Sequence, residues 1–158
     1  TNNTAIRIIK NSNFKFGMVT ADTQLSGKGQ YGKKWISNKG NLFLSIFFII
    51  NKKKQISKLV VSNLRIIKKI LSIYIKSKIN IKKPNDITVD KKKICGILSE
   101  TLFYKNLKFI IVGIGINIVS SPNLRNYPTA NLNEITNGKV SKIKLLKKII
   151  NDFEIKIK

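Results

Sequence analysis

Histidine is absent from this 158-residue chain, cysteine occurs once, and arginine occurs only at Arg7, Arg65 and Arg125. Each shortage removes a class of chemistry. Without histidine there is no Ser-His-Asp triad and no HExxH zinc site, and one cysteine permits neither an internal disulfide nor a CxxC metal knuckle. Cys95 lies in the apolar stretch 94–98, which favours a small core side chain over a reactive thiol and suits a reducing cytoplasm. No run reaches the roughly 18–20 apolar residues that a membrane-crossing helix needs, and TNNTAIRIIK at the start lacks the apolar centre of a signal peptide. The expectation is a soluble, cytoplasmic protein with no membrane partner. Acidic residues are scarce too: seven Asp and Glu stand against 31 Lys and Arg, a formal net charge of +24. With so few arginines, the planar forks that grip phosphate or guanine bidentately are rare, and the charge is lysine spread through every segment. Such a surface attracts polyanions and steers an acidic protein partner towards it. With no RRM or helix-turn-helix signature, it does not point to specific DNA recognition.

What is present fits one domain, 1–158, since 42% hydrophobic residues over this length supply an ordinary core. Residues 4–10 read as a short helix with Asn2 or Asn3 as its cap, and 17–23 as a strand running into a glycine-bearing polar loop. Residues 41–50 form an apolar, aromatic-rich strand long enough to be buried on both faces. Apolar positions Leu59, Val60, Leu64, Ile67, Leu71 and Ile75 recur at three- and four-residue spacing and mark one long helix over 56–75. Short strands over 78–82 and 87–89 flank the turn at Pro84, Asn85 and Asp86, and a hairpin turn at 90–92 leads to longer strands over 94–103 and 107–118. A closing helix spans 140–157. The fold class is therefore α+β, a mixed, largely antiparallel sheet with helices packed on it.

Four segments hold the candidate chemistry, and each has a plainer explanation. In the loop from Gly27 to Trp35, GKGQYGKKW, glycines bare their backbone N–H groups to an anion while Lys28, Lys33 and Lys34 supply charge and Trp35 offers a flat ring. A solvated basic loop ending in a core tryptophan would look the same. It is neither GxxxxGK[ST] nor a strand-to-helix GxGxxG, because a strand follows. In KKPND, Asn85 and Asp86 place an amide and a carboxylate at a turn, which also serves as an ordinary turn. In KKKICGIL, Lys93 facing inward beside Gly96 would put an ammonium next to open space, whereas edge lysines commonly only blunt aggregation. GIGIN at 113–117 is open to both ligand approach and tight packing.

Taken in order and spacing, these pieces resemble the biotin protein ligase family over nearly the whole chain. The family pattern of Ser-Thr-Asn, AExQxxGRGRxGRxW, NLxxS, KWPND, RKxxGILxE and GxGIN stands here as Thr1-Asn2, Ala21 to Gln24 leading into GKGQYGKKW, NLFLS, KKPND, KKKICGILSE and GIGIN. The resemblance implies the biotin/lipoate ligase catalytic fold, similar to class II aminoacyl-tRNA synthetases. It implies that ATP and biotin are substrates, with Mg²⁺, and that biotinyl-5'-AMP is made and its biotin passed to a lysine of a biotin carboxyl carrier protein. That carrier would belong to acetyl-CoA carboxylase or another biotin-dependent carboxylase. Carried over by position, Thr1, Asn2, Gln24, Gly27, Lys28, Gly29, Gln30, Lys93 and Gly96 are the biotin side. Lys33, Trp35, Asn85 and Asn117 are the nucleotide side, Lys93 and Asp86 are catalytic, and no fixed protein metal site is implied. Homodimerisation occurs in some family members and is implied by analogy only.

This chain departs from the pattern in ways that bear on activity. Lysines at 28 and 33 keep charge without the guanidinium fork, and Gln30 replaces an arginine that helps retain the adenylate, so earlier escape of biotinyl-AMP is expected. Lys83 replaces the tryptophan of KWPND and removes an apolar platform. Upstream residues, including the serine before Thr1, are expected to be missing, with neither a DNA-binding domain nor a C-terminal SH3-like domain in 1–158. Lipoate or octanoate ligation on the same fold is the nearest rival, though its RRxSGG-type motif is absent. A basic nucleic-acid-binding module and a catalytically decayed remnant are the others.

Overall fold

A computed structural model describes residues 1–125 and 127–157. Its centre is a six-stranded sheet in the order β1-β2-β6-β5-β4-β3, formed by β1 (Phe16–Ala21), β2 (Leu42–Ile50), β3 (Ile79–Lys82), β4 (Asp86–Val89), β5 (Lys92–Tyr104) and β6 (Leu107–Ile116). Every pairing within it is antiparallel. The α+β class holds, and among the described residues parallel pairing is confined to an isolated bridge between Lys93 and Thr129.

Side-chain alternation divides the sheet into two faces. On one, Leu42, Leu44, Ile46, Ile110, Val112, Ile114 and Ile116 join Cys95 and Ile97 in the main core, beneath α2 (Ile56–Leu71) and α4 (Lys142–Ile157). The helices supply Leu64, Ile67, Ile70, Leu145, Ile149 and Phe153 in return. On the other face α1 (Asn2–Asn11) sets Ala5 and Ile9 on Phe47, Phe109 and Ile111. Beyond α1 no helix among the described residues covers that face, and its residues change from bulky to bare: Ser45 on β2, Gly113 and Gly115 on β6, Gly96 on β5. A cavity opens there.

Several boundaries differ from expectation for identifiable reasons. α1 starts at Asn2, with Thr1 at the cap position but no side-chain cap bond, because the side chains of Thr1 and Asn2 are hydrogen-bonded into the cavity wall. α2 ends at Leu71, since Ser72 to Ile75 close a tight turn that still buries Ile75. The short α3 (Leu132–Thr136) went unforeseen; Asn131 caps it, accepting from the Glu134 N–H at 3.0 Å.

Candidate active site

A cavity of about 830 Å³ lies on the glycine-bearing face and is walled by the start of α1, the loop between β1 and β2, the β3–β4 turn and the loop after β6. Of the residues singled out in the sequence, Thr1, Asn2, Gln24, Lys28, Gly29, Gln30, Lys33, Trp35, Asn85, Asp86, Lys93, Gly96 and Asn117 all line it. Gly27 does not. It is buried behind the loop, where a Cβ would stand 2.5 Å from the Trp35 carbonyl oxygen, so its role is to let the loop fold back. That loop is a small hairpin: the Trp35 N–H donates to the Gly27 carbonyl at 2.9 Å and the Gly29 N–H to that of Lys33. Tyr31 at its tip adopts φ 54°, unusual for a side chain of that size, and is almost wholly exposed.

Three glycines make the floor. A Cβ on Gly113 would stand 2.5 Å from Asn2 Oδ1, and Cβ atoms on Gly96 and its register partner Gly115 would stand 2.6 and 2.5 Å from the Trp35 ring. Bare backbone is needed for the Asn2 amide and the indole to lie on the sheet. Gly96, placed by the resemblance beside biotin, is thus the seat of the Trp35 indole.

The α1 end of the cavity is polar and tightly connected. Ser37 donates to Gln24 Oε1 at 3.0 Å, Gln24 Nε2 donates to the Thr1 hydroxyl at 3.1 Å, Ser45 reaches both Thr1 and Asn2, and Asn2 Nδ2 donates to Glu100. Glu100 on β5 and Ser45 on β2 sit in quoted motifs, GILSE and NLFLS, yet were not singled out. Strand alternation facing them towards Thr1 and Asn2 was the available signal.

The β3–β4 turn and the start of β5 bring an acid and an ammonium to the cavity wall. Asp86 at the start of β4 is 8% exposed, and its Oδ1 lies 2.8 Å from Lys93 Nζ. Lys93 reaches this face because of a bulge. By plain alternation it would point with Cys95 and Ile97 into the main core. The β4–β5 register instead steps from Ile87 opposite Cys95 to Thr88 opposite Lys93, so Ile94 and Cys95 are both buried and Lys93 turns into the cavity. Its ammonium lies 5.0 Å from the Trp35 ring centroid. Tyr127, which no motif announced, donates its hydroxyl to Asp86 Oδ2 at 2.7 Å. Burial, helped by that hydrogen bond and the Asp86 charge, pushes the Tyr127 phenol well above its ordinary value, so it remains a donor. Burial likewise pushes the Cys95 thiol far up, which keeps it inert. Asn117 is buried; its Nδ2 donates to the Ala130 carbonyl at 3.2 Å while its Oδ1 has no partner among the described residues.

The chain as a whole resembles known proteins in sequence and in fold. Residues 4–117 match the model of the biotin/lipoate A/B protein ligase family. The bifunctional ligase/repressor BirA of Bacillus subtilis is 30% identical over 166 residues, covering 98% of this chain and 50% of that protein. The chain therefore spans about half the length of that relative. A biotin protein ligase from Aquifex aeolicus solved with biotin and ATP superposes with a TM-score of 0.78 at 28% identity, covering 96% of this chain and 65% of that one. One from Leishmania major solved with biotin superposes with a TM-score of 0.80 at 23% identity, covering 96% and 68%. With most of its length matched and its sheet superposing on these ligases, the chain belongs to the biotin/lipoate A/B protein ligase family and has the catalytic fold of the biotin protein ligases.

Proposed function

We propose that this chain forms biotinyl-5'-AMP from biotin and ATP and transfers the biotinyl group to a lysine of a biotin carboxyl carrier domain, such as that of acetyl-CoA carboxylase. The observation that carries this is the single cavity in which a polar cluster (Thr1, Asn2, Gln24) faces a cationic hairpin and the Lys93–Asp86 pair across a glycine floor. The neutral donors and acceptors of Thr1, Asn2 and Gln24 suit the uncharged ureido ring of biotin. The lysines suit its carboxylate and the phosphates of ATP. Lys93 and Asp86 are the proposed catalytic residues, with Lys28, Gly29 and Gln30 closing over the acyl phosphate and Lys33, Trp35, Asn85 and Asn117 on the nucleotide side.

The first step needs no histidine. A carboxylic acid with a pKa of about 4 is already ionised at neutral pH and is itself the nucleophile. The protein has to place it in line with the α-phosphorus and neutralise the charge that spreads over the phosphate oxygens, which Lys93 and the hairpin lysines supply. In the second step the acceptor ammonium must lose a proton before it attacks, and Asp86 is the carboxylate in place to orient or deprotonate it. Mg²⁺ would assist charge neutralisation when bound with ATP. Asp86 is the one carboxylate among the residues lining the cavity, and no cluster of three or more His, Cys, Asp or Glu able to hold a metal occurs among the described residues. The donor set does not fit a protein-held ion.

Biotin-dependent exchange of pyrophosphate into ATP tests the proposal. The wild-type chain is expected to catalyse it and Lys93→Ala to lose at least about a hundredfold, the scale of removing a charge-stabilising group. Exchange supported by lipoate but not biotin would transfer the assignment to the family's other branch. No exchange with either acid would leave a folded remnant.

A further inference from the structure

We propose that Tyr127 is a positioning residue for the acyl-transfer half of that reaction, holding the Asp86 carboxylate in the direction from which it meets the incoming acceptor amine. This rests on the ligase assignment and extends it to a residue outside every motif in the sequence.

The segment that carries Tyr127 acts on both members of the charged pair. Its backbone runs beside the start of β5, where the Lys93 N–H donates to the Pro128 carbonyl at 2.8 Å and the Ala130 N–H donates to the Lys93 carbonyl at 3.0 Å. The bulged position of Lys93 is thus pinned on both sides. From the same segment the Tyr127 hydroxyl reaches Asp86 Oδ2, while Lys93 occupies Oδ1. The ring is held in turn by two ammonium groups, with Lys82 Nζ 4.2 Å and Lys93 Nζ 5.5 Å from its centroid.

The two contacts on Asp86 differ in permanence. Lys93 is drawn to the phosphate charge once an acyl phosphate occupies the cavity, and its withdrawal frees Oδ1. Tyr127 is neutral, has no such attraction, and continues to fix Oδ2. The carboxylate then cannot rotate away, and Oδ1 is presented to the acceptor ε-ammonium. One proton passes to Oδ1, and the freed amine attacks the biotinyl carbonyl carbon. The new C–N bond forms as the C–O bond to phosphate breaks, AMP leaves with the bonding pair, and the second amine proton goes to solvent.

The test compares wild type, Tyr127→Phe, Asp86→Asn and the double variant in single-turnover transfer from preformed biotinyl-AMP to a purified apo biotin carboxyl carrier domain, with pyrophosphate exchange measured in parallel. Tyr127→Phe keeps the ring and its packing. It is expected to lower the transfer rate constant about tenfold, as for loss of one hydrogen bond to a charged group, with adenylation reduced less and half-saturation by the carrier little changed. In the Asp86→Asn background Tyr127→Phe should add nothing, as coupling through Asp86 requires. Equal losses from Tyr127→Phe in both backgrounds, or no loss at all, would overturn the role of Tyr127 while leaving the ligase assignment standing. Absence of biotin-dependent exchange in wild type would overturn both.

Discussion

At the residue scale the site depends on side chains that are missing as much as on those present. Gly96 and Gly115 face each other across β5 and β6 so that the Trp35 indole can lie on backbone, and Gly113 admits the Asn2 amide in the same way. Trp35 is the only tryptophan, so its emission reports on that floor. In Gly115→Ala the new methyl would overlap the ring and lift it, because the clashing atoms belong to a rigid indole. The expected result is a longer-wavelength emission maximum and a loss of about 1–3 kcal/mol in denaturant stability, the usual cost of overpacking. An unchanged spectrum would mean that the indole does not rest there. The glycines were visible in the sequence, but their use was not. GIGIN is equally compatible with plain strand packing, and only the neighbour above each Cα separates the two.

At the element scale the sheet is clamped on its core face by α2 and α4, and one ionisable group sits between those helices. Lys156, near the end of α4, donates to the buried Asn63 on α2 at 2.6 Å. Burial, with Lys54 as a lesser influence, pulls its ammonium down to about 8 from the ordinary 10.5. Between those values the unfolded chain binds more protons than the folded one, so this group's contribution to stability rises with pH across about 8 to 10.5. Below about 8 the fold carries the charge at a cost. Urea midpoints measured from pH 7.5 to 10 should therefore rise more steeply for wild type than for Lys156→Met. Parallel curves would show that the amine is solvated. The periodicity of 56–75 and 140–157 announces both helices, whereas their facing polar pair depends on the angle at which they cross, which no local pattern contains.

At the scale of the whole molecule the net charge of +24 is not neutralised internally. Asp86 is taken up by Lys93, and Asp22 meets Lys142 at 2.9 Å, a pair exposed enough to be screened by salt. The unbalanced lysines set up a long-range field that favours acidic partners. Raising ionic strength from about 0.05 to 0.5 M shortens the screening length from roughly 14 to 4 Å. Half-saturation by an acidic carrier domain should rise several-fold over that range, with the transfer rate constant at saturation nearly constant. If the rate constant carries the whole salt effect, the charge acts inside the cavity rather than on the encounter.

The amino-acid order alone determined the α+β class, the succession of the strands and of the three longer helices, and the family motifs, because hydrophobic periodicity, turn residues and motif spacing are local properties of the chain. Within these residues it also excluded a Ser-His-Asp triad, an internal disulfide and zinc sites of the HExxH or CxxC kind. Tertiary structure decided the rest. A bulge of one residue turned Lys93 from the core face to the cavity, and strand pairing set Gly96 opposite Gly115 under a tryptophan some sixty residues or more away in sequence. A loop between β6 and α3 delivered Tyr127 to Asp86, 41 positions apart. Such contacts are fixed by which strands are neighbours and in what register, so their signal is spread over the whole chain and is present in no single segment of it.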